Sequence, residues 1–415
     1  MPDRTPPLLG ASEAAAYLDV QPSTLYAYVS RGLLQSVPDP GDARRRRYRT
    51  SDLDRLRRRS QAHAGHGAAA ASALDWGAPS LDTELSRIAP EGHAYRGRPV
   101  AELVEQGVPF EAVAELLWSG RMGEGRPRWL DDAAPPLELE VVFGGGAGPR
   151  EAWPVDVLRV AVTLAGLEDP ARFAPSEEAE IRVARHLVVR AARSLARQRT
   201  GDRGPLVDED SVAALLAGAF GRAREGAALH AMDAALVVVA DHELNASTFA
   251  ARVAASTGAD LYACVAAALA TFTGARHGGA CDQCAALVSE AEAGGSVRAV
   301  LTGRVRRGES LPGFGHRLYP EGDPRFTMLV DLARAASDSP LPAWFDELLE
   351  ASAEMELGPP TSDLGLVVLA RALGLPDAAA VTMFAVGRMA GWIAHALEQR
   401  RQGFLLRPRA RYVGA

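Results

Sequence analysis

DHELNASTF, Asp241 to Phe249, places two acids, a histidine and an asparagine within five consecutive positions of a chain otherwise rich in Ala, Leu, Val and Arg. Asn245 is the only asparagine among 415 residues, and all 45 basic residues are arginine. With no lysine, a phosphate loop built on Lys, a Schiff-base Lys and a Ser-Lys dyad are all excluded. A rare residue beside a histidine and two acids marks a polar site inside an apolar body.

Working outward, hydrophobic residues make up 47% and charged residues 23%, the balance of a globular chain long enough for more than one domain. No uninterrupted apolar run approaches the roughly 20 residues that a membrane helix needs, so no membrane partner is expected. The opening MPDRTPPLLG lacks the basic and apolar regions of a signal peptide. Three cysteines are too few and too clustered for a disulfide framework, which points to a reducing, cytoplasmic setting.

The first sixty residues differ from the rest. Ala14, Ala15 and Leu18 share one face of a short helix, and Pro22 with Ser23 opens a second. That helix keeps Leu25, Val29 and Leu33 inward and can end at Gly32. PDPGDARRRRYR then reads as a turn and a basic strand. Eleven Arg against seven Asp and Glu give these sixty residues +4, leaving −11 for the remainder of a −7 chain. A positive patch with this helix order resembles the winged helix-turn-helix of excisionase and MerR-type regulators. The resemblance implies DNA as a partner, with Thr24, Tyr26, Tyr28 and Arg31 on or beside the groove-entering helix and Arg44, Arg45, Arg46 and Arg47 on phosphates. Residues 61–78, rich in Ala, Gly and Ser, read as a linker.

LDTELSRIAPEGHAYRGRPV suggests two short strands around a turn at Pro90 to Gly92. Downstream, apolar residues recur every three to four positions, so the long body is all-helical. VVFGGGAGPR is a loop, because Pro149 takes the last position that a dinucleotide fingerprint needs. Four polar islands interrupt the helices: DHELNAS, GARHGGA (Gly274 to Ala280), LPGFGHRLYPEGDPR (Leu311 to Arg325) and TSD (Thr361 to Asp363). Cys281 and Cys284 form a CxxC on a predicted helix, with one other Cys in the chain, and no metal site is expected.

In this order, with the YRGR near the hairpin and a closing RPRARYVG, the islands resemble the citrate synthase family from about Leu81 to Ala415. The resemblance implies a mainly α fold, with a large domain (79–279 and 375–415) and a small domain (280–374). It implies condensation of acetyl-CoA or propionyl-CoA with oxaloacetate in a homodimer, with acyl-CoA as substrate and no cofactor. Asp363 matches the catalytic base, His277 the donor to the thioester oxygen, and His316 the group that polarises the oxaloacetate carbonyl. His242, Arg325, Arg388 and Arg407 match the oxaloacetate-binding residues, the last reaching a neighbouring subunit. Leu311, Gly313, Phe314, Gly315 and Arg317 match the CoA loop. Three departures stand out: Arg276 before His277, where a cation can alter the imidazole's surroundings; PPTSDLG around Asp363; and no Lys after the Tyr of YPEGDPR. The alternative implied by the N-terminal module is a DNA-binding regulator that uses the helical body as a metabolite sensor.

Overall fold

The computed structural model describes residues 8–18, 24–25, 28–29, 34, 36–39, 42–49, 53, 81–89, 92–129, 137, 152–173, 176–200, 211–222, 226–294, 296–337, 339–408, 410, 412 and 414. The chain divides into two compact units, Thr83–Leu406 and a smaller one of Met1–Asp82 with Arg407–Ala415.

In the smaller unit, Ala11–Tyr17 is helical and residues 24–25 and 28–29 are helical as well. The basic strand is present as Asp42–Arg49. It is the centre of a three-stranded antiparallel sheet, between Leu8–Gly10 and Ser36–Asp39. Those two outer strands are too short to show alternation, so the sequence did not reveal them. Ala14, Ala15, Leu25, Leu34, Tyr48 and Leu53 form the core, with Val29, Leu18 and Tyr28 packed against it. Tyr28 therefore serves the core as well as the helix surface. Leu33 and the linker at 61–78 lie outside the described residues, as does the Gly-rich loop at 141–150.

The larger unit opens on a second antiparallel sheet, Ser86–Ala89 with Gly92–Tyr95 and then Arg98–Pro99. Helices follow, as the periodicity requires. Several begin where the sequence supplies an acceptor for an orphan backbone donor. The lone asparagine has this duty: Asn245 Oδ1 accepts from the Thr248 amide at 3.0 Å and caps the Ala246–Ser256 helix. Asp260 caps the Leu261–Phe272 helix in the same way, and Asp323 caps Pro324–Ala336 by accepting from the Arg325 amide.

One helix, Ala378–Gln402, is the axis of the unit. It packs against Phe110–Ser119, Gly226–Val239, Ala246–Ser256, Leu261–Phe272, Gly279–Gly294 and Ser362–Ala372. It is long and apolar enough to cross a membrane by length and composition, a feature hidden in the sequence by its interspersed polar residues, yet its apolar window is wholly buried. It is core. Close approach is possible because two glycines lie one turn apart on the same face. A Cβ on Gly387 would come 2.7 Å from Val239 Cγ2 and 2.9 Å from the Leu236 carbonyl. On Gly391 it would come 2.3 Å from Asp241 Oδ1 and 2.5 Å from the Ala240 carbonyl. The contacted backbone cannot rotate away as a side chain can. The Gly391 amide also donates to the Ala240 carbonyl at 3.0 Å.

A Gly391→Ala substitution gains about 1 kcal/mol of helix propensity but overpacks this crossing at the upper end of a range of roughly 1–3 kcal/mol. The expected result is a net loss of about 2 kcal/mol in chemical denaturation. An unchanged midpoint would show that the crossing relaxes freely.

Candidate functional site

DHELNAS lies in the turn that leaves the Gly226–Val239 helix, and its shape is imposed by Asp241. That buried carboxylate accepts from Ser86 Oγ and from the Glu243 amide at 3.2 Å, and meets His395 Nε2 at 3.3 Å. Burial works to raise its pKa, but His395, Arg388 and Ser86 outweigh it and hold the group below the usual carboxylate value. Glu243 has a φ of 54°, a left-handed conformation uncommon for a residue with a side chain. The bonds from its amide to Ser86 and Asp241 hold it there and aim the preceding residue, His242.

His242 is buried, with Nε2 3.0 Å from the Tyr319 hydroxyl. Its ring meets His316 edge-on at 5.5 Å, and Tyr319 touches both rings. Burial, with Arg325 next in weight, lowers the pKa of His242 well below the ordinary imidazole value. His316 is lowered by the same two causes. A neutral ring has one donor and one acceptor. The Leu318 amide donates to His316 Nδ1 at 3.2 Å, so the proton is on Nε2.

His277 precedes the Gly279–Gly294 helix, as expected, and meets Phe272 and Phe384 edge-on, the two phenyl rings also touching each other. Its pKa is pushed down to about 4, by burial first and then by Arg388. Arg276, the neighbour that could have supplied a cation, is exposed; the acting cation is Arg388, from another helix. His277 Nε2 is 2.7 Å from Ser247 Oγ, which accepts from Trp392 Nε1 at 3.0 Å. The hydroxyl proton has two acceptors in reach, Asn245 Oδ1 at 2.8 Å and His277 Nε2. Donation to the ring puts the imidazole proton on Nδ1.

Asp363 stands in the first turn of the Ser362–Ala372 helix. The PPTSD segment before it is stitched to the GFGH loop: Gly315 N donates to Pro359 O at 2.8 Å, and Thr361 N to Gly313 O at 2.9 Å. Gly313 and Gly315 have φ of 93° and 74°, and a Cβ on Gly313 would press on Cys284 Sγ and Leu364. Cys281 and Cys284 are buried here, Cys281 Sγ lying 3.8 Å from the Asp363 carbonyl. Asp363 Oδ1 is enclosed and, among the described residues, has no hydrogen-bond partner. Burial pushes its pKa up to about 6, against the opposing pull of Arg325.

The two buried arginines differ. Arg325 is held by Asp323 through Nε at 2.9 Å and Nη2 at 2.8 Å, and Asp323 also accepts from the Ser362 amide at 3.0 Å. Much of the Arg325 fork is thus spent inside the protein. Among the described residues Arg388 donates only through Nε, to the Val239 carbonyl at 2.7 Å. Its Nη2 is enclosed with no partner among the described residues, and burial lowers its pKa to about 10. Arg388 acts electrostatically on His242, His277 and Asp363 alike.

Of the expected CoA-loop residues, Gly313 is buried, Leu311 and Phe314 are half-buried, and Gly315 and Arg317 are exposed. Arg407 is exposed and belongs to the smaller unit. Among the expected DNA contacts, Tyr26 and Arg31 lie outside the described residues, and nothing is described of the Arg44 and Arg45 side chains. Arg46 is exposed, whereas Arg47 Nε donates to Asp39 at 2.6 Å. Sequence reasoning assigned no role to Ser86, His93, Tyr95, Ser247, Tyr319 and Trp392; of these, Tyr95 in YRGR, Ser247 in DHELNAS and Tyr319 in the LYPEGDPR island carried a signal.

A mainly helical chain with three neutral imidazoles, an enclosed carboxyl oxygen and a guanidinium group whose Nη2 has no partner among the described residues is built like an acyl-CoA-dependent condensing enzyme. The family model described as "Citrate synthase, C-terminal domain" matches residues 73–409, and that of a helix-turn-helix domain matches 8–61. The chain belongs to the citrate synthase family, with an N-terminal helix-turn-helix domain. It is 34% identical over 360 residues to "Putative citrate synthase 2" of Mycobacterium tuberculosis, covering 81% of this chain and 91% of that one. It is 30% identical over 347 residues to the 2-methylcitrate synthase of the same species, covering 80% and 88%. Among solved structures, the Thermoplasma acidophilum citrate synthase in ternary complex with carboxymethyl coenzyme A and oxaloacetate superposes with a TM-score of 0.69. That pair is 27% identical, over 81% of this chain and 94% of that one.

The raised carboxyl of Asp363 has a stability consequence. Below its ordinary value of 3.8 the group is neutral in both folded and unfolded chains. From there to about 6 the unfolded chain gives up its proton while the folded chain keeps it, so folding weakens as pH rises, and the deficit is constant above. Two units correspond to about 3 kcal/mol. Asp363→Asn is expected to stabilise the protein at pH 7 by up to about that amount and to change little at pH 4, measured by denaturation at both values.

Proposed function

We propose that the protein joins the α-carbon of acetyl-CoA or propionyl-CoA to the keto carbon of oxaloacetate, releasing CoA and citrate or 2-methylcitrate. The observation that carries this is the meeting of the four polar islands: a neutral His316 with its proton on Nε2, edge-on to His242, on a loop hydrogen-bonded to the segment that presents Asp363, and His277 2.7 Å from Ser247. The curated relatives named citrate synthase and 2-methylcitrate synthase support both acyl lengths.

Asp363 takes a proton from the acyl α-carbon. A carboxyl poised near 6 is a stronger base than one in water, and its enclosed Oδ1 has no competing donor among the described residues. Negative charge then moves to the thioester oxygen, which accepts from His277 Nδ1 when Ser247 turns its single hydroxyl proton from Asn245 Oδ1 to Nε2. The α-carbon attacks the keto carbon of oxaloacetate while His316 Nε2–H polarises the carbonyl and protonates the alkoxide. Water hydrolyses the thioester of the product. Arg388, with its unspent Nη2, is the principal carboxylate ligand, assisted by His242 and by the remaining Nη1 of Arg325. Residues 280–374 close on 79–279 and 375–415 over oxaloacetate, the 311–317 loop receives CoA, and Arg407 enters the site of a second subunit.

Release of free CoA from oxaloacetate with each thioester is the direct test. Turnover is expected with at least one, falling about 10³-fold in Asp363→Asn and about 10²-fold in His316→Ala. The plot of log kcat/KM against pH is expected to fall below about 6, where Asp363 becomes protonated in the free enzyme. Absence of turnover with both thioesters would overturn the assignment.

A second activity is favoured by the helix-turn-helix match and the basic strand. We infer that the smaller unit binds DNA through phosphate contacts from Arg44, Arg45 and Arg46. Arg47 contributes less, being paired with Asp39. Replacing the three by Ala is expected to weaken binding uniformly across sequences and to reduce the salt dependence by about one unit of slope per lost contact. Affinity and slope unchanged from wild type would overturn DNA binding by this strand.

A further inference from the structure

His93, on the Gly92–Tyr95 strand, is only 3% exposed and has no place in the condensation as derived above. Its Nε2 lies 3.3 Å from the Val238 carbonyl and 3.4 Å from the Tyr95 hydroxyl. That hydroxyl donates to the Val237 carbonyl at 2.9 Å and accepts from the Asp241 amide at 3.1 Å. Its proton being spent on Val237, the His93 proton goes from Nε2 to Val238, and Nδ1 is bare. Nδ1 is enclosed and has no partner among the described residues. A buried acceptor left unpaired destabilises the fold, which an apolar side chain of similar size avoids.

The ring's position shows what it touches in return. It meets His242 edge-on, with centroids 6.1 Å apart and planes at 71°. His242 meets His316 edge-on from another side. The strand thus grips the end of the Gly226–Val239 helix through Tyr95 and His93 and presents the His93 ring to the imidazole aimed by the strained Glu243. We propose that His93 is a positioning residue of the dicarboxylate site, fixing the His242 ring with Nε2 toward Tyr319 and Nδ1 toward the ligand, and so setting affinity for the 2-oxo dicarboxylate. It leaves the acyl-CoA half-reaction untouched. The neutral state of His93, pushed down to about 3 by burial and then by Arg325, fits a ring that orients its neighbour without adding charge beside two guanidinium groups.

This rests on the function proposed above, and the experiment separates the two. His93→Phe keeps a flat ring but loses the bond to Val238; His93→Gln keeps an amide N–H that reaches the carbonyl; His93→Asn is too short to reach it. Steady-state kinetics with both substrates, calorimetric binding of oxaloacetate alone and thermal melting are measured on each full-length variant. His93→Phe and His93→Asn are expected to raise KM and Kd for oxaloacetate about tenfold, with kcat within about twofold and the acyl-CoA KM unchanged. His93→Gln is expected to restore KM to within about threefold of wild type. Unchanged oxaloacetate KM and Kd in both Phe and Asn variants would overturn the inference, as would a joint fall of kcat and melting temperature with both KM values shifted. Should Phe not fold, the Asn and Gln pair decides by the same criteria. If wild type neither binds nor turns over oxaloacetate, the proposed function falls and this inference with it; if wild type binds and the variants equal it, only the role of His93 is lost.

Discussion

The amide of Gly391 reaches the carbonyl of Ala240 at 3.0 Å, and that contact is the point on which the site is built. It requires backbone to touch backbone, so it requires glycine on the long C-terminal helix. Asp241 is the next residue, and His242 follows. The same helix carries Arg388, Trp392 and His395, which reach Val239, Ser247 and Asp241 from one side. Bringing the helix in close therefore positions the histidine turn, the buried cation and the hydroxyl behind His277 together. Packing and chemistry are one problem here, because the same glycine face solves both.

Charge explains the rest of the arrangement. Burial keeps His93, His242, His277 and His316 in their neutral forms, lowering each below the ordinary imidazole value. A neutral ring keeps one N–H to donate to a developing oxyanion and adds no positive charge to a site that already holds two guanidinium groups. The positive charge resides in two guanidinium groups. One is balanced by Asp323, through a salt bridge at 2.8 Å, while the other keeps a donor group in reserve. Asp363 is held between the cost of desolvation and the attraction of Arg325, and desolvation wins. A dianionic ligand would supply what such a site lacks, and excluding water strengthens each of those interactions.

The helical body was legible because its apolar residues recur at helical spacing, from Pro154–Glu168 through Ser362–Ala372. The four polar islands were legible because they break that pattern, and Asn245 stood out by being alone. What Asn245 does was not legible: a cap bond to Thr248 and a contact with Ser247 depend on the turn's dihedrals. The cation acting on His277 was also hidden. Adjacency in sequence pointed to Arg276, but that side chain faces solvent, and Arg388 arrives from more than a hundred positions away. His93 gave no signal, since a histidine inside a short strand reads like any half-polar residue until its neighbour across the fold is known.

By itself the sequence determined the helical class, the helix-turn-helix module and the kinds of side chain available for chemistry, because periodicity and residue type are local properties. Which of those side chains share a cleft, which are neutral and which remain unpaired was decided only by the tertiary structure. Proton position and desolvation depend on every atom within a few ångströms, and those atoms come from strands and helices far apart along the chain.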